Sequence, residues 1–110
     1  MQSESEFVAL TDRVLGAIGA AIDAVDEDLD WSENDGVLTI ECRDGSRIIV
    51  NRHLPNRELW VAARSGGFHF RIDGSSWRDT RGGEELATAL SRLLALQTGI
   101  AVELGALPVA

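Results

Sequence analysis

The middle of this chain alternates apolar and polar side chains with a period of two, and that pattern constrains the fold more than any other feature. Such runs lie within residues 37–43, 58–64 and 68–72. Successive side chains of a strand point to opposite faces, so the alternation predicts strands with one buried face. Turn-forming sequences separate the runs, among them Asp44-Gly45, Ser65-Gly66-Gly67 and Asp73-Gly74. The chain is therefore predicted to form antiparallel hairpins.

The run from Arg47 to Arg52 does not follow simple alternation, because residues 48–50 are all apolar. If Arg47 and Asn51 face water, Ile48 and Val50 are buried and Ile49 is exposed. That parity requires a connection with an odd number of residues from the preceding strand, such as a bulge at Gly45. Trp77 to Thr80 is predicted as a short last strand.

Helical spacing flanks the strands on both sides. Ser3 and Glu6 form a predicted capping box for a helix over about residues 4–25. Gly16 and Gly19 within it suggest close packing against a neighbour. A second helix should follow Glu84 and run to about Gln97, with the tail from residue 98 to 110 closing the core. This order predicts an α+β two-layer sandwich, formed as one domain over residues 1–110.

The composition excludes several classes of function. The net charge is −8 with a pI near 4.6, which disfavours nucleic acid and anionic membranes as partners. All ten basic residues are Arg, so Schiff-base chemistry and the Lys of a phosphate-binding loop are excluded. No apolar run is long enough to span a bilayer, and the acidic N-terminus is unlike a secretory signal. With a single cysteine as well, we expect a cytoplasmic protein.

The negative charge is concentrated near the N-terminus. Residues 1–42 carry eleven acids and one Arg, a net of −10, whereas residues 43–110 carry seven acids and nine Arg, a net of +2. A solvated face is the ordinary interpretation of such a run, and a cation or a basic partner is the functional one. If the segment is extended, Asp26, Asp28 and Asp30 share one edge about 7 Å apart, a spacing that suits loose binding of hard cations.

The sequence gives little support for a known metal-binding motif or a catalytic nucleophile. An EF-hand fails because Trp31 occupies the position of its turn Gly and Val37 that of its final Glu. Cys42 falls on the inward parity of a strand and should be an inert core residue. His53 and His69 are predicted to be exposed, where an imidazole can ligate a transition metal or haem iron, although most exposed histidines are only solvated.

The sequence resembles the frataxin family, and specifically its bacterial branch. The resemblance rests on the acidic D-x-D-x-D entry, Asn51-Arg52, Pro55, Leu59-Trp60, and the blocks at residues 65–70 and 77–79. It covers all but the C-terminal tail. It implies two helices packed on one face of a twisted antiparallel sheet, in the order α-β-β-β-β-β-β-α.

The resemblance also implies a function. Members of the family bind iron (Fe2+/Fe3+) weakly through an acidic ridge and take part in iron-sulfur cluster assembly, where they contact the cysteine desulfurase and the cluster scaffold protein. The acidic ridge of this chain would comprise Asp23, Asp26, Glu27, Asp28, Asp30 and Glu33. The contacts on the sheet face would be Asn51, Arg52 and Trp60. Gly19 and Ala20 stand where other bacterial members carry acids, which predicts a lower iron capacity.

The first hypothesis is therefore a binding protein, not an enzyme, that modulates cluster formation as an iron donor or regulator. We expect a monomer that could oligomerise with iron. One alternative is weak ferroxidase and iron-storage activity at the acidic ridge, although the Glu-x-x-His pairs of dedicated di-iron sites are absent. Another is binding of haem or a soft metal through His53 or His69.

Overall fold

The fold was analysed in a computed structural model, which describes residues 2–25 and 28–110. Helix α1 spans Glu4–Asp23 and ends two residues earlier than predicted. The capping box is confirmed: the Glu6 amide donates to Ser3 Oγ over 3.1 Å, and the Ser3 amide donates to Glu6 Oε1 over 2.8 Å. The apolar face of α1 is buried, through Phe7, Leu10, Val14, Leu15, Ile18 and Ile22.

Six strands form one antiparallel sheet in which sequence neighbours are also spatial neighbours. Their bounds are β1 Asp30–Asn34, β2 Val37–Glu41, β3 Arg47–His53, β4 Glu58–Ala63, β5 Gly66–Asp73 and β6 Ser76–Asp79. Such an up-and-down order follows from short turns between consecutive strands. It makes β1 and β6 the two edges, so the acidic ridge runs into an edge strand.

The hairpin between β2 and β3 has the odd connection predicted from the sequence. The Cys42 amide donates to the Ser46 carbonyl over 2.9 Å, which leaves residues 43–45 as the loop. Gly45 closes it at φ +87°, a conformation that costs glycine little. Ile48 and Val50 are consequently buried completely, whereas Ile49 on the other face is half-buried.

Helix α2 spans Leu86–Thr98, and the tail that follows it completes the core as expected. Glu85 is the N-cap, accepting hydrogen bonds from the Ala87 and Thr88 amides. The indole of Trp77 in β6 donates to the Pro108 carbonyl over 2.8 Å. Val102, Leu104 and Leu107 of the tail are buried in the same core as both helices and the inner face of the sheet.

Two details differ from the sequence-based expectation. The alternation over residues 68–72 predicts Phe68, Phe70 and Ile72 on the buried face, but only Phe70 is fully buried and the other two are half-buried. Strand β5 lies next to the edge of the sheet, and the guanidinium of Arg92 lies 5.9 Å from the centroid of the Phe68 ring. In the described part of the chain, neither helix is long and apolar enough to cross a membrane.

Candidate acidic ridge and aromatic sheet face

The acidic ridge begins where α1 is clamped to β1. Asp23, the last residue of α1, accepts a hydrogen bond of 2.8 Å from the indole nitrogen of Trp31. The indole lies flat against Gly19, so closely that a Cβ at Gly19 would stand 2.6 Å from a ring carbon. The close packing expected at Gly19 is thus confirmed, and it explains why an acidic side chain would not fit there.

The other described acids of the ridge lie along and beside β1. Asp28 forms an ion pair with Arg43 before the strand begins. Asp30 is the first residue of β1 and lies opposite Glu41, while Glu33 lies opposite Leu38. Asp30 therefore belongs to the outer face of the sheet and Glu33 to the helix side, because strand parity separates an even from an odd position. Asp26 and Glu27 lie outside the described residues.

Carboxylates of the ridge are dispersed. Within residues 2–25 and 28–110, no three His, Cys, Asp or Glu side chains converge closely enough to hold a metal ion between them. Asp23 and Asp30 are exposed, as is Glu33. The described acids therefore form a surface of separate, hydrated carboxylates at one edge of the sheet.

Three aromatic rings are stacked on the outer face of the sheet, and we call His53, Trp60 and His69 the aromatic stack. The His53 and Trp60 centroids are 3.8 Å apart with an interplanar angle of 9°. Trp60 and His69 follow at 4.3 Å and 6°. The indole separates the two imidazoles, so in this arrangement they cannot ligate the same metal ion. His53 Nδ1 is buried without a hydrogen-bond partner among the described residues.

Glu58 holds the aromatic stack in place from below. It is only 3% exposed although it faces outward, and it accepts hydrogen bonds from Trp60 Nε1 at 2.8 Å and Arg71 at 2.6 Å. His69 Nδ1 lies 3.8 Å from the same carboxylate. Burial raises the pKa of the Glu58 carboxyl, but the hydrogen bonds and the charge of Arg71 outweigh it and lower the pKa below its ordinary value.

The three residues assigned to sheet-face contacts do not share one face. Asn51 lies beside Trp60 on the outer face, in register with Val37 and Trp60 on the neighbouring strands. Arg52, one residue later, lies on the helix side, 13% exposed, and its guanidinium contacts Asp12 of α1 at 2.8 Å. The expectation that Arg52 stands on the exposed face is therefore wrong, because its parity is that of Ile48 and Val50.

Sequence reasoning missed the supporting residues of these surfaces. The alternation over residues 58–64 predicts Glu58 and Trp60 on the same exposed face, and their spacing of two residues was the available signal that they could interact. Nothing local predicted that Trp31 would pack on Gly19 or that Asp12 would pair with Arg52. Those contacts join residues far apart in the chain, the second across 40 positions.

The chain has two helices packed on a six-stranded sheet, with acids at one edge and an aromatic stack on the open face. Its sequence and fold are similar to those of one family of known proteins. A frataxin-like domain model matches residues 1–100. The chain is 55% identical over 102 residues to the iron-sulfur cluster assembly protein CyaY of Dechloromonas aromatica, covering 92% of this chain and 97% of that protein. This chain belongs to the frataxin family.

Other relatives agree. CyaY of Cupriavidus pinatubonensis is 51% identical over 107 residues, which is 94% of this chain and 96% of that one. The structure of frataxin from Psychromonas ingrahamii has a TM-score of 0.88 at 30% identity, covering 94% and 98% of the two chains. Trimeric yeast frataxin complexed with ferrous iron shares the fold, with a TM-score of 0.68 at 22% identity over 91% and 89%.

Proposed function

We propose that this protein takes part in iron-sulfur cluster assembly, binding iron weakly at the acidic ridge and docking through the same ridge on the cysteine desulfurase. The observation that carries the proposal is the net charge of −10 over residues 1–42 beside +2 over the rest. Relatives at 51% and 55% identity are named iron-sulfur cluster assembly proteins. We further propose that it acts in the cytoplasm as a regulator or iron donor.

Iron binding of this kind follows from the chemistry of the ridge. Carboxylate oxygens are preferred by hard cations, and separate, exposed carboxylates leave water to complete the coordination shell. Among the described ridge acids only Asp28 is paired with an Arg, so the charges of Asp23, Asp30 and Glu33 are available. Binding should therefore be weak and readily reversible, as suits an ion that is cargo for a later step.

Docking on a basic partner follows from the same charge. An edge strand with acids on both faces presents a negative potential that accelerates association with a positive patch. The outer sheet face supplies a second contact, because Asn51 and Trp60, both half-buried, lie there beside the exposed ring of His69. We propose that this face meets the cluster scaffold protein while the acidic ridge engages the desulfurase.

The test compares two charge reversals of equal size. Asp30→Lys with Glu33→Lys alters the ridge, and Asp73→Lys with Glu103→Lys makes the same change in total charge at exposed positions away from it. The ridge variant should weaken desulfurase binding at least tenfold and abolish the ferrous-iron shifts of ridge amides in an NMR titration, while the control changes neither. Equal effects of the two variants would refute a specific ridge.

Ferroxidase activity is the second candidate, because clustered carboxylates favour the ferric ion over the ferrous one. Oxygen consumption per ferrous ion added measures it directly. If the ridge oxidises iron, Asp30→Lys with Glu33→Lys should slow oxygen uptake relative to the Asp73 and Glu103 control. Uptake at the rate of iron in buffer alone would exclude a ferroxidase site.

A further inference from the structure

A groove lies near the start of α1, at the end of the helix that is far from the acidic ridge. Its walls come from the start of α1, the turn between β3 and β4, the end of β5 and the tail. The volume is about 610 Å³, within the range of small-molecule sites. Phe7 and Asp23 are 16 positions apart on α1, so about 24 Å of helix separates the groove from the ridge.

Arg57 supplies the positive charge of this groove. The guanidinium of Arg57 stands 5.7 Å from the centroid of the Phe7 ring and donates to the Leu54 carbonyl over 2.7 Å. In the described residues, no carboxylate lies within 4.0 Å of it. Arg71 also lines the groove, but its guanidinium binds Glu58 on the outer face of the sheet, where that carboxylate matches its charge. Arg57 therefore gives the groove an uncompensated positive charge, in a protein whose total is −8.

The backbone of Arg57 is strained. Its φ is +52°, in the left-handed region that residues other than Gly, Asn and Asp rarely adopt. A left-handed Gly would close the turn, in which the Arg57 amide donates to the Leu54 carbonyl over 3.1 Å, without this strain. Strained residues of this kind are concentrated at ligand clamps and active sites.

The rest of the groove is apolar. Pro55, Ile72 and Val109 line it beside Phe7, and Gln2 adds the one uncharged polar side chain. A ligand that fits must bring an apolar body for these side chains and an anionic group for Arg57. A single negative charge, such as that of a carboxylate, matches this one guanidinium.

We propose that this groove binds a small amphipathic carboxylate, with the carboxylate on the guanidinium of Arg57 and the apolar body against Pro55, Ile72 and Val109. Planar guanidiniums bind carboxylates through paired hydrogen bonds, and Arg57 gives only one nitrogen, Nη1, to the Leu54 carbonyl. The site is independent of iron and of the desulfurase, and its occupancy can be measured without either.

The probe is 4-phenylbutyrate, titrated into the full chain and followed by amide NMR shifts. We expect saturable shifts at Gln2, Arg57, Ile72 and Val109 with a Kd on the order of 1 mM. The neutral analogue 4-phenylbutanamide should bind at least about tenfold more weakly, because it lacks the charge that Arg57 matches. Shifts that do not saturate, or equal binding of the amide, would overturn the proposal.

Variants separate the groove from general electrostatics. Arg57→Gly removes the guanidinium at a φ that Gly adopts freely, so the fold should be retained, and it should weaken 4-phenylbutyrate binding about tenfold. Arg13→Gln removes one exposed positive charge from the middle of α1. It should weaken binding less than about twofold, because salt screens a charge that is distant from the groove. Equal losses in the two variants would overturn the site. A peptide that binds the groove through its C-terminal carboxylate more tightly than 4-phenylbutyrate would also overturn the proposal, because the ligand would then be a peptide and not a small molecule.

Discussion

Gly19 and Trp31 illustrate how a single side chain, present or missing, determines the local packing of this protein. The indole occupies the space that a Cβ at Gly19 would need, and its nitrogen donates to Asp23. Gly16, one turn earlier, has nothing within 4 Å of its own Cβ position. The two glycines lie in the same helix and differ only in their surroundings, so the same substitution at each of them tests the effect of packing alone.

Alanine substitutions at these positions should have different effects on stability. Gly16→Ala is expected to raise the free energy of unfolding by about 1 kcal/mol, the difference in helix propensity. Gly19→Ala gains the same propensity but forces the indole of Trp31 to move, which should leave it about 1–3 kcal/mol less stable than Gly16→Ala. Urea unfolding measures both. In NMR, the indole N–H signal of Trp31 should shift in Gly19→Ala and stay in Gly16→Ala; equal stabilisation would contradict the packing.

Glu58 makes the stability of the aromatic stack depend on pH. Its folded-state pKa is lowered, so its carboxylate stabilises the fold above the ordinary pKa of 4.5, and that contribution is lost as pH falls through the folded pKa. Glu58→Gln removes the carboxylate and with it this contribution to the pH dependence of stability. The stability gap between wild type and variant should be full at neutral pH and shrink below about pH 4.5. The gap to the exposed control Glu103→Gln should stay constant, and a pH-independent gap for Glu58→Gln would contradict the argument.

At the scale of elements, the tail after α2 acts as part of the core. The Ser91 hydroxyl donates to the Val102 carbonyl and the Trp77 indole to the Pro108 carbonyl, each over 2.8 Å. These bonds hold extended chain that forms no helix or strand of its own. Its apolar side chains can be buried only against elements that have already formed.

Two leucine substitutions test the role of the tail. Leu107 is 7% exposed and Leu96, on the outer side of α2, is 69% exposed. Leu107→Ala should lower the free energy of unfolding by about 2–4 kcal/mol through lost burial and a cavity. Leu96→Ala, the same chemical change on the surface, should alter it by less than about 0.5 kcal/mol. Thermal or urea unfolding distinguishes them, and similar values would mean that the tail does not pack in solution.

On the scale of the whole molecule, charge is polarised along α1. The acidic ridge lies at the end of α1, and the groove with Arg57 lies near its start. This separation gives the protein two recognition surfaces of opposite local charge. Partners that approach the ridge should be steered by long-range attraction.

Salt should therefore slow the proposed association with the desulfurase. Between low salt and about 0.15 M ionic strength we expect the association rate constant to fall about tenfold or more, with a smaller change in the dissociation rate. Stopped-flow measurements with wild type and with Asp30→Lys plus Glu33→Lys provide the comparison. The ridge variant should lose most of the salt dependence, and an unchanged dependence would place the contact elsewhere.

Local patterns predicted both helices and five of the six strands, but not β1 at Asp30–Asn34, which only the six-strand order implied by the resemblance included. Both helices, the strand alternation, the capping box at Ser3 and the odd loop at Gly45 follow from spacing along the sequence, because each depends on residues that are close in the chain. The buried tail followed from its apolar residues. The resemblance to frataxins added the placement of both helices on one side of the sheet.

Contacts between distant residues required the folded molecule. The side of the sheet on which Arg52 lies, the burial of Glu58 under the aromatic stack, and the packing of Trp31 on Gly19 each depend on the register between elements. A sequence specifies periodicity through local sterics and hydrophobic burial, whereas register is set by the combined packing of all elements. The sequence thus showed the concentration of acids near the N-terminus, and the resemblance assigned the residues of the acidic ridge. The division of the ridge between two faces of β1 and the groove at the other end of α1 became visible only in three dimensions.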